Sequence, residues 1–367
     1  MSLRVSTELM QEIQSYGAFD ISACFNCGNC SAVCPLSTDQ SSFPRRMIRL
    51  GQLGVKHELL TQQAMWLCYN CGECTQTCPR QAGPGEYMAA MRRWATAQYE
   101  PTGMAARVFT NPVWTGIVNL LIALILAAFL LTAKPHHHFI DWPFRLVPYE
   151  AIHLLGMGVF IVLVLSLSFS LWRFASIALK AQPEFWHHSP QEYLRAGKKT
   201  LHEIMTMQRQ KSEFGTSGGW TSPWAVHLAI MGGFFGLLGA TTSDFIFIYL
   251  LGTKIYWPAR IVGTISGVAL LYGVSMAIIR RFKASDAAVR HSQLADWWLL
   301  IFLWVLGVTG FWLEAIVTFH WAAPANSWVM LIHTVMAMEL VLLAGTTKLA
   351  HVFYRPLALY LYYLSGG

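Results

Sequence analysis

Two stretches of this chain, CFNCGNCSAVCP at 24–35 and CYNCGECTQTCP at 68–79, share the spacing C-x-x-C-x-x-C-x-x-x-C-P and hold all eight cysteines of its 367 residues. No other feature restricts the fold so tightly. In a reducing compartment, cysteines clustered at fixed spacing read as metal ligands rather than disulfides. A pair of structural zinc sites is the simplest such reading. Zinc, however, takes four cysteines per site, usually as two separated C-x-x-C pairs, and not triplets with a trailing Cys-Pro.

The spacing is instead that of two-cluster ferredoxins. Three close thiolates grip one cubane, and the fourth cysteine, held off by the turn before proline, ligates the other cluster. The expected sets are Cys24, Cys27, Cys30 and Cys78 for one [4Fe–4S] cluster, and Cys68, Cys71, Cys74 and Cys34 for the second. Gly28 and Gly72 keep bulk away from the cubanes and leave backbone N–H groups free for their sulfurs. Between the motifs, FPRRMIRLGQLGVKHELLTQQAMWL is an amphipathic helical stretch broken near Gly51 and Gly54. Its Arg45, Arg46 and Arg49 steady a negative cluster, dock a partner, or form a solvated face.

Beyond Pro112 the chain changes character. Over the whole chain 12% of residues are charged and 54% are hydrophobic, about half the charge of a soluble domain, and the apolar residues concentrate in this part. Six segments, near 112–133, 151–172, 223–243, 260–279, 297–319 and 327–354, are long and apolar enough to cross a bilayer of about 30 Å. The expected architecture is all-α: a cysteine-bearing ferredoxin-like helical domain over 1–108, then a six-span helical bundle over 109–367. The basic excess of +7 sits beside the spans, which speaks for membrane topology and against nucleic acid.

Charge sets the orientation. The connection after span two carries Arg173, Lys180, Arg195, Lys198, Lys199, Arg209 and Lys211, and that after span four carries Arg280, Arg281, Lys283 and Arg290. The remaining connections hold Lys134, Arg145, Lys254 and the bordering Arg260. Both rich loops, the head and the C-terminus are therefore expected on the cytoplasmic face of an inner membrane. The opening MSLRVSTELMQEIQSYG agrees, since it lacks the apolar core of a signal peptide. Trp142, Trp257, Trp321 and Trp328 fall at the opposite interface. PQEYLRAGKKTLHEIMTMQRQK reads as one amphipathic helix that docks the head, a soluble partner or anionic lipid.

Ionisable residues inside spans are rare and usually functional. His333 and His351 both fall in the last span; eighteen residues is five turns, so in one helix they share a face about 27 Å apart. Span two enters from outside and puts His153 at outer depth; span three enters from inside and puts His227 at inner depth. Two pairs match in level, His153 with His333 and His227 with His351, and each suits bis-imidazole ligation of one haem b. The alternative for each is a polar residue bonded to a neighbouring helix. His291 and His320, at span ends, rank second. His136, His137 and His138 belong to an outer loop, and His187, His188 and His202 to the inner one.

Taken together, PRRMIRLGQLG followed by MWLCYNCGECTQTCPR and the twin motifs resembles the C subunit of heterodisulfide reductase. The spans, with two histidines in the last, resemble the membrane cytochrome b of the heterodisulfide and nitrate reductase gamma type. Their fusion is similar to the C subunits of quinone-interacting membrane-bound oxidoreductase complexes of sulfate-reducing bacteria. This resemblance implies two [4Fe–4S] clusters, two haems b, menaquinone as substrate, and soluble flavin- and iron–sulfur-bearing A and B subunits. It also implies a link to adenylylsulfate reductase. One departure stands out: gamma-type cytochromes carry two haem histidines on an early span, whereas His153 and His227 lie on separate spans. The chain also lacks the CCG-type motifs of the disulfide-cleaving subunit.

The expected function is membrane electron transfer between a soluble partner and the quinone pool, as a subunit and not a complete enzyme. A quinone takes up protons with electrons, so its pocket needs an ionisable group. Arg260, Lys254, Asp244 and Glu314 at outer depth are the candidates, with Glu339 and Lys348 deeper, where contact with haem propionates or pairing with other helices is the alternative. Arg260 and Lys254 serve equally as interfacial anchors. The rival from another class is a haem-free membrane anchor for a ferredoxin module. A transporter would need internal repeats or broken helices that the sequence does not display.

Overall fold

The computed structural model describes residues 4–38, 41–133, 144–181, 183–214, 218–253, 255, 257–284, 286–321 and 323–366. Lys134, His136, His137, His138, Trp142 and Lys254 lie outside these residues. Among the described residues regular structure is helical, and the single pairing of extended backbone is an isolated bridge from Thr38 to Ser41.

The head is built around the helix Pro84–Tyr99, which begins with proline in its first turn, where no N–H is needed. Leu9, Ile13, Met47, Ile48, Leu59, Met65, Tyr87, Met91 and Trp94 enclose one another against it. The segment between the motifs forms helices Arg45–Gln52, Lys56–Thr61 and Ala64–Leu67, separated near the expected glycines. Gly51 is required by close approach: a Cβ there would sit 1.8 Å from the Tyr87 hydroxyl. Glu12 ties the first helix down, accepting from Lys56 at 3.0 Å and from the Trp94 indole at 2.9 Å.

Among the described residues six helices are long and apolar enough to span a membrane. They are Pro112–Thr132, Tyr149–Lys180, Pro223–Leu250, Trp257–Lys283, Leu294–Phe319 and Pro324–Leu342. Apolar side chains such as Leu124, Ile125 and Leu165 point outward from these helices, as a lipid environment allows. Spans three and four pack most closely. Glycines let their backbones meet, with Gly233 against Ser266 and Leu270, and Gly273 against Val226 and Ile230. Span three ends in a π-helical turn, Phe245–Leu250. Asn111 marks the change from head to body: its side chain accepts from the N–H groups of Val113 and Trp114 and caps span one.

Two sequence expectations need correction. The last apolar segment, 327–354, is not one helix. Its membrane part stops at Leu342, a turn covers 343–347, a 3₁₀ turn spans Lys348–Ala350, and a new helix runs His351–Leu364. The cause is local: the Thr346 and Thr347 hydroxyls both donate to the Leu343 carbonyl, and Thr347 is extended. The helical phase that put His333 and His351 on one face is therefore lost. The amphipathic stretch after span two also breaks, because Pro190–Thr206 ends at Met207 with φ 48° before a second helix, Gln208–Phe214.

The C-terminal helix belongs to the head as much as to the body. Ala350, Tyr354, Ala358 and Leu361 enter the head core. Tyr354 stacks on Trp66 at 4.9 Å and meets Phe174 of span two at 5.8 Å, while Tyr99 lies 5.2 Å from Phe174. On its other side it carries the helix Pro190–Thr206. Both charge-rich connections thus gather on the face that bears the head.

Candidate functional site

The two cysteine loops have the same local build. Asn26 and Asn70 hold φ near +60°, at 61° and 59°, and Gly28 and Gly72 follow at 94° and 88°. Asparagine tolerates this left-handed region better than most residues, and glycine enters it without strain. The curl turns the Asn26 N–H to the Cys24 sulfur at 3.4 Å and the Asn70 N–H to the Cys68 sulfur at 3.3 Å. One-turn helices, Asn29–Ala32 and Glu73–Gln76, then present Cys30 and Cys74. Sequence reasoning passes over these asparagines although their signal is visible: both motifs read C-x-N-C-G.

The thiols fall into two neighbourhoods. Cys30 faces Cys24, Cys27 and Cys78; Cys74 faces Cys68, Cys71 and Cys34, with Cys30 farther along. A small cavity is lined by Cys34, Cys68, Cys71 and Cys74. Burial first, and the adjacent sulfurs second, push the Cys30 and Cys74 thiols above their ordinary range. Bound metal reverses that preference by holding thiolates. Among the described residues, no three His, Cys, Asp or Glu side chains close on a point that a single ion would occupy. A cubane, with each thiolate on its own iron, spreads its ligands more widely than zinc does.

The two sets differ in surroundings. Cys27 is exposed, and beside it a surface groove is lined by Phe25, Asn26, Arg45, Arg46 and Arg49. The second set faces the membrane body. The Asn70 side chain donates to the Ala288 carbonyl at 3.3 Å, and Gly72 presses on Ala287 and Ala288 in the connection after span four. Arg355 of the C-terminal helix lies 3.7 Å above the Tyr69 ring and donates to the Leu67 carbonyl, while Arg92 donates to the Met65 and Cys68 carbonyls.

This difference gives a test. Gly28→Ala meets no other protein atom within 4 Å and carries, beside any crowding of a cluster that both glycines would share, the left-handed penalty of about 1–2 kcal/mol. Gly72→Ala adds overlap with the Ala287 Cβ at 2.7 Å and the Ala288 nitrogen at 2.9 Å. Thermal unfolding should show the larger loss at Gly72, and equal losses would refute the contact.

One turn from Arg355, the ring of His351 faces that of His227 with centroids 6.3 Å apart. The His351 Nδ1 contacts the Lys348 carbonyl at 2.7 Å, and the His227 Nδ1 contacts the Met207 sulfur at 3.2 Å. His153 and His333 have separate partners. His153 stacks on Tyr249 at 4.6 Å with its Nδ1 on the Tyr149 carbonyl at 2.9 Å, whereas the His333 Nδ1 meets the Thr309 hydroxyl at 2.9 Å. Their helices share one apolar cluster, in which Ala151 and Val159 of span two lie with Leu331, Val335 and Met338 of span six. His291 packs against Phe19 of the head at 4.8 Å, and His320 ends span five.

The quinone candidates divide into two places. Arg260 and Glu314 pair at 2.8 Å between spans four and five, with Thr318 also accepting from Arg260. Asp244 instead accepts from the Tyr149 hydroxyl at 3.2 Å, beside His153. Lys254 lies outside the described residues. Glu339 is enclosed within the body, 3% exposed, with no partner for its Oε1 among the described residues.

Known proteins resemble one part of this molecule. Residues 20–82 match the family of 4Fe-4S dicluster domains. Over 101 residues the chain is 36% identical to a protein of Archaeoglobus profundus described as like the C subunit of heterodisulfide reductase, covering 26% of this chain and 54% of that one. Over 63 residues it is 31% identical to the C subunit of the H(2):CoB-CoM heterodisulfide,ferredoxin reductase of Methanothermobacter thermautotrophicus, covering 17% of this chain and 34% of that one. The chain thus spans about half or less of the length of these relatives. No solved structure matches it. The part of the chain that matches 4Fe-4S dicluster domains is thus followed, among the described residues, by six helices long and apolar enough to span a membrane.

Proposed function

We propose that this protein carries electrons between a soluble flavin- and iron–sulfur-bearing partner and menaquinone, through two [4Fe–4S] clusters and two haems b. Cys24, Cys27, Cys30 and Cys78 hold the cluster nearer the solvent; Cys68, Cys71, Cys74 and Cys34 hold the one nearer the body. His227 with His351 holds the inner haem and His153 with His333 the outer one. The head, both basic connections and the C-terminus lie, on this reading, on the cytoplasmic side of the inner membrane. It extends to A and B subunits of a quinone-interacting oxidoreductase complex in sulfate respiration, with adenylylsulfate reductase beyond them.

One observation carries the reading: the facing rings of His227 and His351 at 6.3 Å. Rings held this close on two helices would be able to hold one haem between them. The contact of His351 Nδ1 with the Lys348 carbonyl leaves Nε2 as the ligating atom. Haem supplies a one-electron carrier at that point. The chain's own part is to fix the two rings and to bring Arg355, Tyr69 and the second cysteine set within a few residues of them. At the far end, Asp244 with Tyr149 offers a hydrogen-bonded acid pair for quinone protons.

A reduced-minus-oxidised visible spectrum of the purified protein should show b-type bands. Their absence would leave the rival reading, a haem-free anchor for a ferredoxin module.

A further inference from the structure

We infer that Arg93, Arg281 and Lys348, arranged about Asp296, form a cage for the two propionate carboxylates of the haem held by His227 and His351. The inference rests on the haem reading above and adds the residues that receive its charged edge.

Four separate elements build the cage. Arg93 comes from the head helix Pro84–Tyr99, Arg281 from the last turn of span four, Asp296 from the first turn of span five, and Lys348 from the turn after span six. Lys348 pairs directly with Asp296, and both arginines act on the same carboxylate. Lys348 touches the anion, Arg93 reaches the same end of span five where both it and Gln293 approach Gly17, and Gln293 bonds Asp296, so three cations and one anion share this place with two positive charges in excess. A haem b brings two carboxylates, which is the charge needed.

The other charged groups nearby are already committed. Arg280 pairs with Asp286. Arg92 donates to the Cys68 and Met65 carbonyls, and Arg355 lies over Tyr69, so both serve the second cysteine set. Within the cage, Arg281 donates from Nη1 to the Ala277 carbonyl at 3.3 Å, while its enclosed Nε has no hydrogen-bond partner among the described residues. Arg93, 9% exposed, spends its Nε on the Tyr16 carbonyl at 2.7 Å. Guanidinium groups suit carboxylates because their planar fork matches two oxygens.

The cage also stands in the right place. The Lys348 carbonyl contacts the His351 ring, and the charges of Lys348 and Arg355 both act on His227 and His351. Because Arg93 belongs to the head, the head closes the cage, and its docking sets part of the field around the inner haem.

The test is a potentiometric titration of the b-type absorption in the full-length protein. Ferric haem carries one more positive charge than ferrous haem, so removing a nearby cation favours the ferric form. Arg93→Gln, Arg281→Gln and Lys348→Gln should each lower the midpoint potential of one b-type component and leave the other unchanged. Arg93→Lys and Lys348→Arg, which keep the charge, should hold it near the parent value. Unchanged potentials in all three glutamine variants would overturn the cage while leaving the haem reading intact. Equal shifts in the charge-keeping variants would overturn it too, by showing packing at work and not charge. A parent protein without b-type bands overturns both readings.

Discussion

Replacing His351 by alanine should halve the haem content of the purified protein, and replacing His227 should do the same. The double replacement should remove no more than either single one. Two rings that share an iron act as a unit, and residues in direct contact through one partner do not add. The 6.3 Å between their centroids is the reason to expect this of the pair. The helix that begins at His351 should survive the change, because Tyr354, Ala358 and Leu361 anchor it in the head core without the imidazole. His153→Ala and His333→Ala should form a second such pair, with losses that overlap each other but add to those of the first. Haem per protein, measured on the single and paired variants, decides the matter; additive losses within either pair would separate its members.

Cys34→Ala should remove the cluster held by Cys68, Cys71 and Cys74, although Cys34 lies in the other motif. Non-haem iron should fall by about half, roughly four irons of eight. The electron paramagnetic resonance spectrum that remains should match that of Cys71→Ala and differ from that of Cys30→Ala. The basis is the position of Cys34 in the cavity with Cys68, Cys71 and Cys74. Cys78→Ala, facing Cys30, should give the opposite result. If the Cys34 variant instead kept the spectrum of the second motif, the crossed sets would be wrong. Loss of the second cluster should also break electron delivery to the inner haem, since that cluster is the one beside Arg355 and the C-terminal helix.

Part of the candidate site was legible because its signals are short in sequence. The twin motifs carry their own turns, so Asn26, Gly28, Asn70 and Gly72 take the same backbone shape wherever the rest of the chain goes. Asparagine escapes notice there only because its side chain brings no ligand. The spans were legible for a similar reason, since crossing a bilayer is a matter of length and hydropathy. The sixth span misleads because LLAGTTKLA is apolar enough to read as helix, while its threonines turn the backbone at 343–347.

The sequence by itself determined a helical membrane protein with a two-cluster cysteine head, because spacing and hydropathy act between near neighbours. Tertiary structure alone decided which rings meet, that the C-terminal helix returns to the head, and that Arg93, Arg281, Asp296 and Lys348 share one place. Those residues come from distant parts of the chain. Their proximity follows from how helices pack, and packing leaves no period in the sequence to read.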